Sequence, residues 1–325
     1  MQILTDIREY KPDPRRPLFL GIGNFDGLHL GHQALLARVL SEARAHRGIP
    51  AILTFRTHPQ HVLHPDQKPS LLMPPDYKRI LLERSGIDLC FEIEFTPAFS
   101  QIDAVAFVRD WLCAKLQVRE VCMGYNARFG QGRKGDGALM ALVSREMGFA
   151  FCRIPPVHAA GSSVSSSRIR ELVRNGKLAE AGACLGRPYS LMAEVIPGAG
   201  RGKDLGFPTA NLKDTGTVLP PCGVYTAWSR ILPSGPWLKS VLNLGFRPTF
   251  NENIAKPSLE VFILTHSGDD IYGKSLEVIF GDYLRPEKAF PDAASLARQI
   301  QKDAAKARKS LGTGPKAWTC PDLEG

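Results

Sequence analysis

Two histidines follow a glycine-rich turn in the segment 18–32, LFLGIGNFDGLHLGH. His29 and His32 are three residues apart, so in the first turn of a helix they can face the same way and donate to one charged group. Gly23 and Gly27 lack the Cβ that would keep a phosphate away from the backbone. The spacing suits a nucleotide α-phosphate that gains charge in the transition state.

The residues around this pair predict a strand, a turn and a helix. Leu18–Leu20 is an apolar run typical of a buried strand, and residues 31–45 place apolar side chains at helical spacing. A strand that leads through a glycine turn into a helix presents backbone N–H groups and a helix N-terminus to an anion. The segment therefore indicates a phosphate site, although a glycine turn alone is a weak signal.

The string GIGNFDGLHLGH resembles the HxGH signature of the nucleotidyltransferase superfamily, in the form found in bacterial FMN adenylyltransferases. The resemblance implies that His29 and His32 take part in catalysis. It also implies nucleotide contacts for four residues of the turn, which are Gly23, Phe25, Asp26 and Gly27.

A second segment, GYNARFGQGRKGD at 124–136, combines four glycines with Arg128, Arg133 and Lys134. Glycines and cations together suit a loop that closes over phosphates, and they equally suit an exposed flexible loop. The segment resembles a loop of the same family, with Asn126 at its polar position.

A third segment, VSSSRIR at 164–170, places hydroxyls at the start of a helix and two arginines one turn later. Serine also caps ordinary helices, so the pattern by itself favours that simpler explanation. The family's version reads SSTxxR, and Ser167 replaces the threonine here while keeping the hydroxyl. The resemblance assigns substrate contacts to Ser165, Ser166, Ser167, Arg168 and Arg170.

The second half has its own glycine-rich basic turn, GAGRGKDLG, followed by FPTAN at 207–211. Such a turn can wrap a polyphosphate without steric conflict, and it can also be an ordinary entry into a strand. Thr209 and Asn211 are two apart on the predicted strand, so they point to the same side. Their oxygens are hard ligands of the kind that Mg²⁺ accepts beside nucleotide phosphates.

Glu260 is the only charged residue in the apolar strand SLEVFIL at 258–264. A carboxylate that is partly removed from water is a stronger base, so Glu260 is a candidate general base. The alternative is a glutamate that faces water on an edge strand.

The motifs GAGRGKDLGFPTANL, GVYTAW, NLGFRPTF, SLEVFIL, YGKSLEV and YLRPEKAF follow one another as they do in riboflavin kinases. Together with the N-terminal motifs, the chain resembles the bifunctional riboflavin kinase/FAD synthetase family from about Leu18 to Arg308. The resemblance implies that Thr209 and Asn211 contact Mg-ATP and that Glu260 activates the ribityl hydroxyl. It further implies substrate contacts for Gly200, Lys203, Gly206, Pro208 and Arg285.

The chain departs from the family in three places. Residues 55–59 read FRTHP where the family often reads FxPHP, which puts the rigidity of that loop in doubt. Phe262 stands where a histidine is common, and Thr265 stands where an aspartate is common. None of these changes removes a residue to which the resemblance assigns a chemical role.

Strands and helices that alternate through the first half predict a Rossmann-like α/β domain with ligands at the carboxyl ends of its parallel strands. The predicted strands lie at 18–20, 51–55, 89–95 and 120–123, and the predicted helices at 31–45, 76–85, 103–116 and 169–186. His58, His61 and His64 have helical spacing, but Pro59 and Pro65 argue against a regular helix, so a surface loop without a metal is expected there.

Short strands with Gly and Pro turns take over after Pro188 and predict a six-stranded antiparallel β-barrel, followed by an amphipathic helix at 292–311. The predicted strands are Tyr189–Ile196, Pro208–Leu212, Val224–Leu232, Leu238–Leu244, Leu259–Leu264 and Leu276–Tyr283. We therefore predict an FMN adenylyltransferase domain at 1–186, a riboflavin kinase barrel with its C-terminal helix at 187–311, and a tail at 312–325.

Composition agrees with small anionic ligands, since the 325 residues carry a net charge of +9. No basic run concentrates this charge, so nucleic acid is not expected as a partner. Seven scattered cysteines without a CxxC pair predict neither a disulfide framework nor a zinc site, and they favour a reducing cytosol. No apolar stretch of signal-peptide or transmembrane type is found in the sequence, so no membrane association is expected.

The predicted activity is phosphorylation of riboflavin by ATP, followed by adenylylation of FMN by a second ATP, with Mg²⁺ as cofactor. Riboflavin, FMN, FAD and ATP are the expected small-molecule substrates and products, and a weak homo-oligomer is left open. The alternatives are an enzyme with one working site and a flavin- or RNA-binding regulator without turnover.

Overall fold

Six parallel strands form the sheet of the first unit, in the order β1-β4-β3-β2-β5-β6. The computed structural model describes residues 1–198, 202, 206–247, 256–265 and 271–315. All five residues of β2 and all five of β4 are buried, as expected of strands covered on both faces. The strands are β1 (Gln2–Leu4), β2 (Leu18–Ile22), β3 (Ile49–Phe55), β4 (Leu89–Ile93), β5 (Val118–Gly124) and β6 (Ala150–Ile154).

Helices connect these strands, and the strand order reverses between β2 and β5. In an open parallel sheet such a reversal leaves a crevice at the carboxyl ends of the two strands, which is where ligands bind. The Rossmann-like prediction is therefore confirmed. The helices are α1 (Leu30–Ala45), α2 (Pro59–Leu63), α3 (Pro75–Arg84), α4 (Pro97–Ser100), α5 (Ala104–Ala106, continued by a π-helical stretch Phe107–Lys115) and α6 (Gly137–Met147).

Helix α2 corrects the expectation of an irregular loop around the three histidines. Pro59 occupies the first turn of α2, where its missing N–H costs nothing. His58 caps this helix through Nδ1, which accepts from the Gln60 N–H at 3.2 Å. His61 Nε2 lies 2.8 Å from the Pro69 carbonyl oxygen. The rings of His58 and His61 thus have different hydrogen-bond partners.

Two helices replace the single helix predicted at 169–186. They are α7 (Ser166–Arg174) and α8 (Leu178–Leu185), and a short hairpin of β7 (His158–Ala159) and β8 (Ser162–Ser163) precedes them. Gly176 has a φ of 72°, its N–H bonds Val173 O at 2.9 Å, and the Lys177 N–H bonds Leu172 O at 2.8 Å. This is a Schellman motif, and it ends α7 at a residue where only glycine is unstrained.

The second unit is a closed barrel with the strand order β10-β13-β12-β11-β14-β9, and each neighbouring pair is antiparallel. Closure leaves no edge strand, and it confirms the predicted barrel. The strands are β9 (Ser190–Ile196), β10 (Thr209–Leu212), β11 (Gly223–Ile231), β12 (Leu238–Arg247), β13 (Lys256–Ile263) and β14 (Ser275–Arg285).

A C-terminal helix, α9 (Ala293–Ser310), packs on the outside of the barrel, as predicted. Ala307 and Leu311 join a buried cluster with Val224, Trp228 and Ile279. Among the described residues, none of the helices is both long and apolar enough to cross a membrane.

The chain divides into two compact units that do not follow the sequence strictly. The first contains residues 1–70 and 75–166, and the second contains residues 71–74 and the described residues from Ser167 onward. Within the second unit, the Val218 N–H donates to Leu71 O at 2.8 Å, and Tyr189 Oη lies 3.4 Å from Leu72 O. The functional boundary at 186/187 stays a prediction.

Candidate active sites

The turn between β2 and α1 holds the two predicted catalytic histidines. His29 is the N-cap of α1, and its Nδ1 accepts from the His32 backbone N–H at 3.3 Å. Because a backbone N–H can only donate, Nδ1 carries no proton in this bond. A neutral His29 therefore has its remaining proton on Nε2, which makes that atom a hydrogen-bond donor.

The structure brings the two rings together. Those of His29 and His32 stack with centroids 3.7 Å apart and an angle of 12° between their planes. The ring of Phe25 lies 5.2 Å from that of His32. Asp26, Gly27 and His29 are buried, while Gly23 and His32 are half-buried.

The backbone of this turn is strained and firmly held. Phe25 and Leu28 have φ values of 52° and 41°, in a region that residues other than glycine rarely adopt. Such conformations persist only where their surroundings fix them. Three side chains from different elements bind alternate carbonyls of the turn: Thr54 Oγ1 donates to Asn24 O at 3.3 Å, Ser166 Oγ to Asp26 O at 2.9 Å, and Gln33 Nε2 to Leu28 O at 2.8 Å.

These anchors also orient the amides of the turn, because the N–H of a trans peptide points opposite its carbonyl. Ser166 was predicted as a substrate contact, and the structure gives its hydroxyl this anchoring bond. Thr54 and Gln33 are anchors that sequence reasoning missed. A threonine in an apolar strand and a glutamine in a helix carry no pattern that would reveal them.

Asn126 follows the neighbouring strand at the same edge of the sheet. Strands β2 and β5 pair in register, with Ile22 opposite Met123, and Gly23 and Asn126 come shortly after their ends. The glycine turn and Asn126 thus flank the point where the strand order reverses. This is the ligand position that the fold provides.

The loop predicted to close over phosphates is held by its own contacts. Phe129 and Gly135 form an antiparallel bridge, and Arg128 Nη1 pairs with Asp136 Oδ2 at 2.9 Å. Asp136 also caps α6, which sequence reasoning did not identify. Arg133 and Lys134 are exposed.

The other predicted contacts in the segment 164–170 differ in their burial. Ser165 is half-buried and Ser167 is exposed at the start of α7. Arg168 Nη1 lies 3.5 Å from the Cys184 sulfur in α8. Arg170 is buried. Their substrate contacts stay predictions.

In the barrel, Glu260 lies in a row of polar side chains across three strands. Asn211 of β10 and Asn243 of β12 are its direct partners in the β-sheet register, one on each side. All three are half-buried. Because β13 lies between β10 and β12 in a closed barrel, the alternative of an edge-strand glutamate is wrong. Asn243 was missed by sequence reasoning, and its Nδ2 donates to Glu287 Oε1 at 3.0 Å.

Glycines leave room beside the predicted metal ligands. A Cβ added at Gly202 would lie 3.1 Å from Thr209 Oγ1, and one added at Gly198 would overlap the side-chain amide of Asn211. The hydroxyl oxygen of Thr209 and the amide oxygen of Asn211 are hard donors, so these two residues fit Mg²⁺.

The other predicted contacts of the barrel have separate outcomes. Gly200 and Lys203 lie outside the described residues, while Gly206 and Pro208 are described and exposed. Arg285 Nε and Nη2 bind Asp303 Oδ2 of α9 at 2.9 and 2.8 Å. Asp303 is buried, so this ion pair fixes the end of β14 to the helix. A substrate contact for Arg285 stays a prediction.

One further cluster appears that the spacing of the cysteines could not reveal, because its members come from neighbouring strands. Ligand atoms of Glu120, Cys122 and Cys152 lie within 4.8 Å of one another. Arg38 binds both oxygens of Glu120, at 3.0 and 3.2 Å, and Cys122 Sγ donates to the same carboxylate at 3.3 Å. Burial raises the pKa of both thiols. The cluster thus already neutralises its carboxylate with an arginine.

A parallel sheet with a glycine turn and two stacked histidines at its switch point, and a closed barrel with a row of polar side chains, are the two candidate sites of the chain. Residues 11–168 match the family model described as FAD synthetase, and residues 185–311 match that of riboflavin kinase. The chain therefore belongs to the bifunctional riboflavin kinase/FMN adenylyltransferase family, as its motifs indicated.

Relatives in several bacteria support this assignment. The chain is 32% identical over 313 residues to the bifunctional riboflavin kinase/FMN adenylyltransferase of Escherichia coli K12, covering 96% of this chain and 98% of the relative. It is 33% identical over 293 residues to that of Listeria monocytogenes, covering 89% of this chain and 91% of the relative. A crystal structure titled macrolide-efflux protein from Streptococcus pneumoniae matches with a TM-score of 0.81 at 25% identity, covering 95% of this chain and 99% of that one.

Proposed function

We propose that this enzyme makes FMN from riboflavin in its barrel and converts FMN to FAD at the switch point of its parallel sheet. The observation that supports the proposal is that each family match contains its own cluster of predicted site residues. The riboflavin kinase match includes the row of Asn211, Glu260 and Asn243, and the FAD synthetase match includes His29 and His32.

In the barrel, Glu260 accepts the proton of the riboflavin 5′-hydroxyl as that oxygen attacks the γ-phosphorus of ATP. The new O–P bond forms while the bond to the β-phosphate oxygen breaks, and ADP leaves. Thr209 and Asn211 hold the phosphates beside the glycines that leave them room, so catalysis consists mainly of positioning and charge stabilisation. Mg²⁺ bound to the side-chain oxygens of Thr209 and Asn211 would neutralise phosphate charge.

At the sheet, an oxygen of the FMN phosphate attacks the α-phosphorus of a second ATP, and pyrophosphate leaves. No protein nucleophile is needed, because FMN already supplies an anionic one. His29 Nε2–H, His32 and the amides of the held turn stabilise the charge that develops on the α-phosphate. Asn126 and the segment from Ser165 to Arg170 bind the substrates.

The test is chromatography of riboflavin, ATP and Mg²⁺ after incubation with the protein. Both FMN and FAD should appear, with FMN first. FMN alone would leave only the kinase. No product from riboflavin would leave only the FAD synthetase if a parallel incubation with FMN gives FAD, and a flavin-binding regulator if it does not. Both sets of site residues are present, which disfavours these two alternatives. A small-molecule role without nucleic acid or membrane partners, and a cytosolic location, stay predictions.

A further inference from the structure

Lys78 of α3 is a buried cation to which no role in either reaction has been assigned. Lys78 is only 7% exposed, and its Nζ donates to Phe55 O at 2.9 Å and to Thr54 Oγ1 at 3.3 Å. Both acceptors are neutral oxygens. Lysine is almost never buried without an ionic partner, because removing its charge from water is costly.

The contacts of Lys78 lead directly to the nucleotide turn. Thr54 is fully buried at the carboxyl end of β3, and its Oγ1 donates to Asn24 O at 3.3 Å. A threonine hydroxyl has only one proton, so it can bond a second group only by accepting. The amino group of Lys78 donates to this hydroxyl oxygen at 3.3 Å. Lys78 therefore fixes the direction of the hydroxyl proton, which must point to the Asn24 carbonyl.

This carbonyl is the first of the three anchored positions in the turn. The side-chain anchors at Asp26 and Leu28 come from Ser166 and Gln33, and Thr54 is the side-chain anchor of the part next to β2. It acts there beside one backbone bond, from the Gly23 N–H to Leu53 O at 3.1 Å. Phe25, the next residue, is one of those with a strained positive φ. Without a directed bond at Asn24, the strained backbone can relax away from the conformation that presents His29.

One of the titratable groups around Lys78 belongs to the nucleotide turn. Glu92 and Cys90 of β4, Arg79 of its own helix and Asp26 of the turn are the titratable groups that act on it, and burial lowers the pKa of Lys78. Glu92 is bound by Arg79, with Nε at 3.2 Å from both carboxylate oxygens. The carboxylate of Glu92 is thus held by Arg79, while Nζ of Lys78 donates to Phe55 O and to Thr54 Oγ1.

We propose that Lys78 and Thr54 are a positioning pair for FMN adenylylation, which holds the Asn24 carbonyl and thereby the strained turn that carries the histidines. Neither residue is assigned a contact with substrate, so both act through the turn. The inference rests on the proposed adenylyltransferase activity.

The test compares Thr54→Val, Thr54→Ser, Lys78→Met and the double variant Thr54→Val/Lys78→Met in the full chain. FAD formation from FMN and ATP is measured on each preparation, and FMN formation from riboflavin serves as the internal control. Thr54→Val and Lys78→Met should each lower kcat for FAD formation about tenfold or more, because small displacements of a site cost large factors in rate. The KM for FMN should change by less than about threefold, since the chemical step depends on the turn more than substrate binding does.

Two comparisons separate positioning from mere stability. Thr54→Ser keeps the hydroxyl and should keep about half of the activity or more, and the double variant should be no worse than the more severe single variant, because the pair acts as one unit. Near-UV circular dichroism at the assay temperature gives the folded fraction of each variant.

The inference is overturned if Thr54→Val retains kcat within about twofold, if Thr54→Ser loses as much as Thr54→Val, or if the lost rate only follows the unfolded fraction. If the unaltered protein makes no FAD from FMN, the proposed function fails instead. The four variants then carry no information about the turn, and the two failures are distinguishable.

Discussion

Glu260 lies between two amide side chains, not among the apolar residues that flank it in the sequence. Asn211 and Asn243 face it from the adjacent strands, while Leu259 and Val261 point to the opposite side of β13 and are buried. An amide can donate to a carboxylate and orient it without neutralising it. A half-buried, oriented carboxylate is what a general base for a hydroxyl proton requires.

The first prediction replaces this base. Glu260→Gln keeps the size of the side chain but cannot accept the proton, so FMN formation should fall by about 10²–10⁴. Conversion of supplied FMN to FAD should continue at the unaltered rate, because that reaction uses other residues. Two assays on one preparation, started from riboflavin and from FMN, measure both. FMN formation at the unaltered rate would make Glu260 a structural residue.

The second prediction concerns the stacked rings of the nucleotide turn. Removal of His29 and His32 by a double alanine substitution takes away donors that stabilise charge at the α-phosphate, so FAD formation should fall by about 10² or more. FMN formation should persist in the same preparation. An equal loss of both activities would contradict the assignment of these histidines to the adenylyl transfer.

The third prediction tests the space beside the predicted Mg²⁺ ligands. Gly198→Ala introduces a Cβ that overlaps the amide of Asn211, so Asn211 must move and FMN formation should fall about tenfold or more. Gly312→Ala is the matched control, because nothing lies within 4 Å of its added Cβ. If both variants make FMN equally fast, the glycine at 198 is not required by the site.

Among single residues, sequence reasoning could find those whose spacing is itself a chemical signal. It missed those that act through another residue. His29 and His32 stand out because two imidazoles bracket a glycine directly after a glycine-rich turn. Thr54, Lys78 and Asn243 do not, since each sits in an ordinary strand or helix pattern and gains its role only from tertiary neighbours. The Glu120, Cys122 and Cys152 cluster was missed for the same reason.

At the scale of elements, aspartates begin several of the helices. Asp103, Asp136 and Asp292 accept backbone N–H bonds at the starts of α5, α6 and α9. These bonds are the main reason why the pKa of each carboxyl is lowered. A carboxylate is favoured there because it satisfies N–H groups that have no partner inside the helix.

The fourth prediction follows from the direction of these shifts. A carboxyl whose pKa is lower in the folded chain stabilises it above the unfolded pKa, near 4, and this contribution is lost as the pH falls through the folded value. The melting temperature should therefore drop below about pH 4. The double variant Asp136→Asn/Asp292→Asn keeps both helix caps, but the new side chains do not titrate. Its melting temperature should therefore drop less than that of the unaltered protein. An identical acid profile for both proteins would contradict this account.

Elements were predictable where apolar periodicity runs without interruption and turn residues mark the ends. The six barrel strands and α9 lie within a few residues of their predicted bounds. The single helix expected at 169–186 is wrong, because one glycine in an apolar periodic pattern is not distinguishable from a tolerated one until its φ is known. β1, β6 and α6 were missed, the first because three residues are too short for a pattern.

For the whole molecule, the two family matches correspond to the two compact units, with one exception. A short segment inside the FAD synthetase match belongs to the second unit. Residues 71–74 come from the middle of the first half and pack within the second unit. Leu72 is 1% exposed, and residues of this segment bond Val218 and lie near Tyr189. No local pattern indicates this, because the segment is four ordinary residues in a loop.

This segment bears on how the chain folds as the ribosome makes it. Leu71 and Leu72 leave the ribosome before Tyr189, which follows about 120 residues later and hence, at about 5–20 residues per second, after roughly 6 to 24 seconds. During that interval the first unit can complete its sheet before Tyr189 and Val218, which contact the two leucines, have been made. A nascent chain that pauses in this window would expose an apolar loop, and we expect a chaperone that binds such loops to associate with it there.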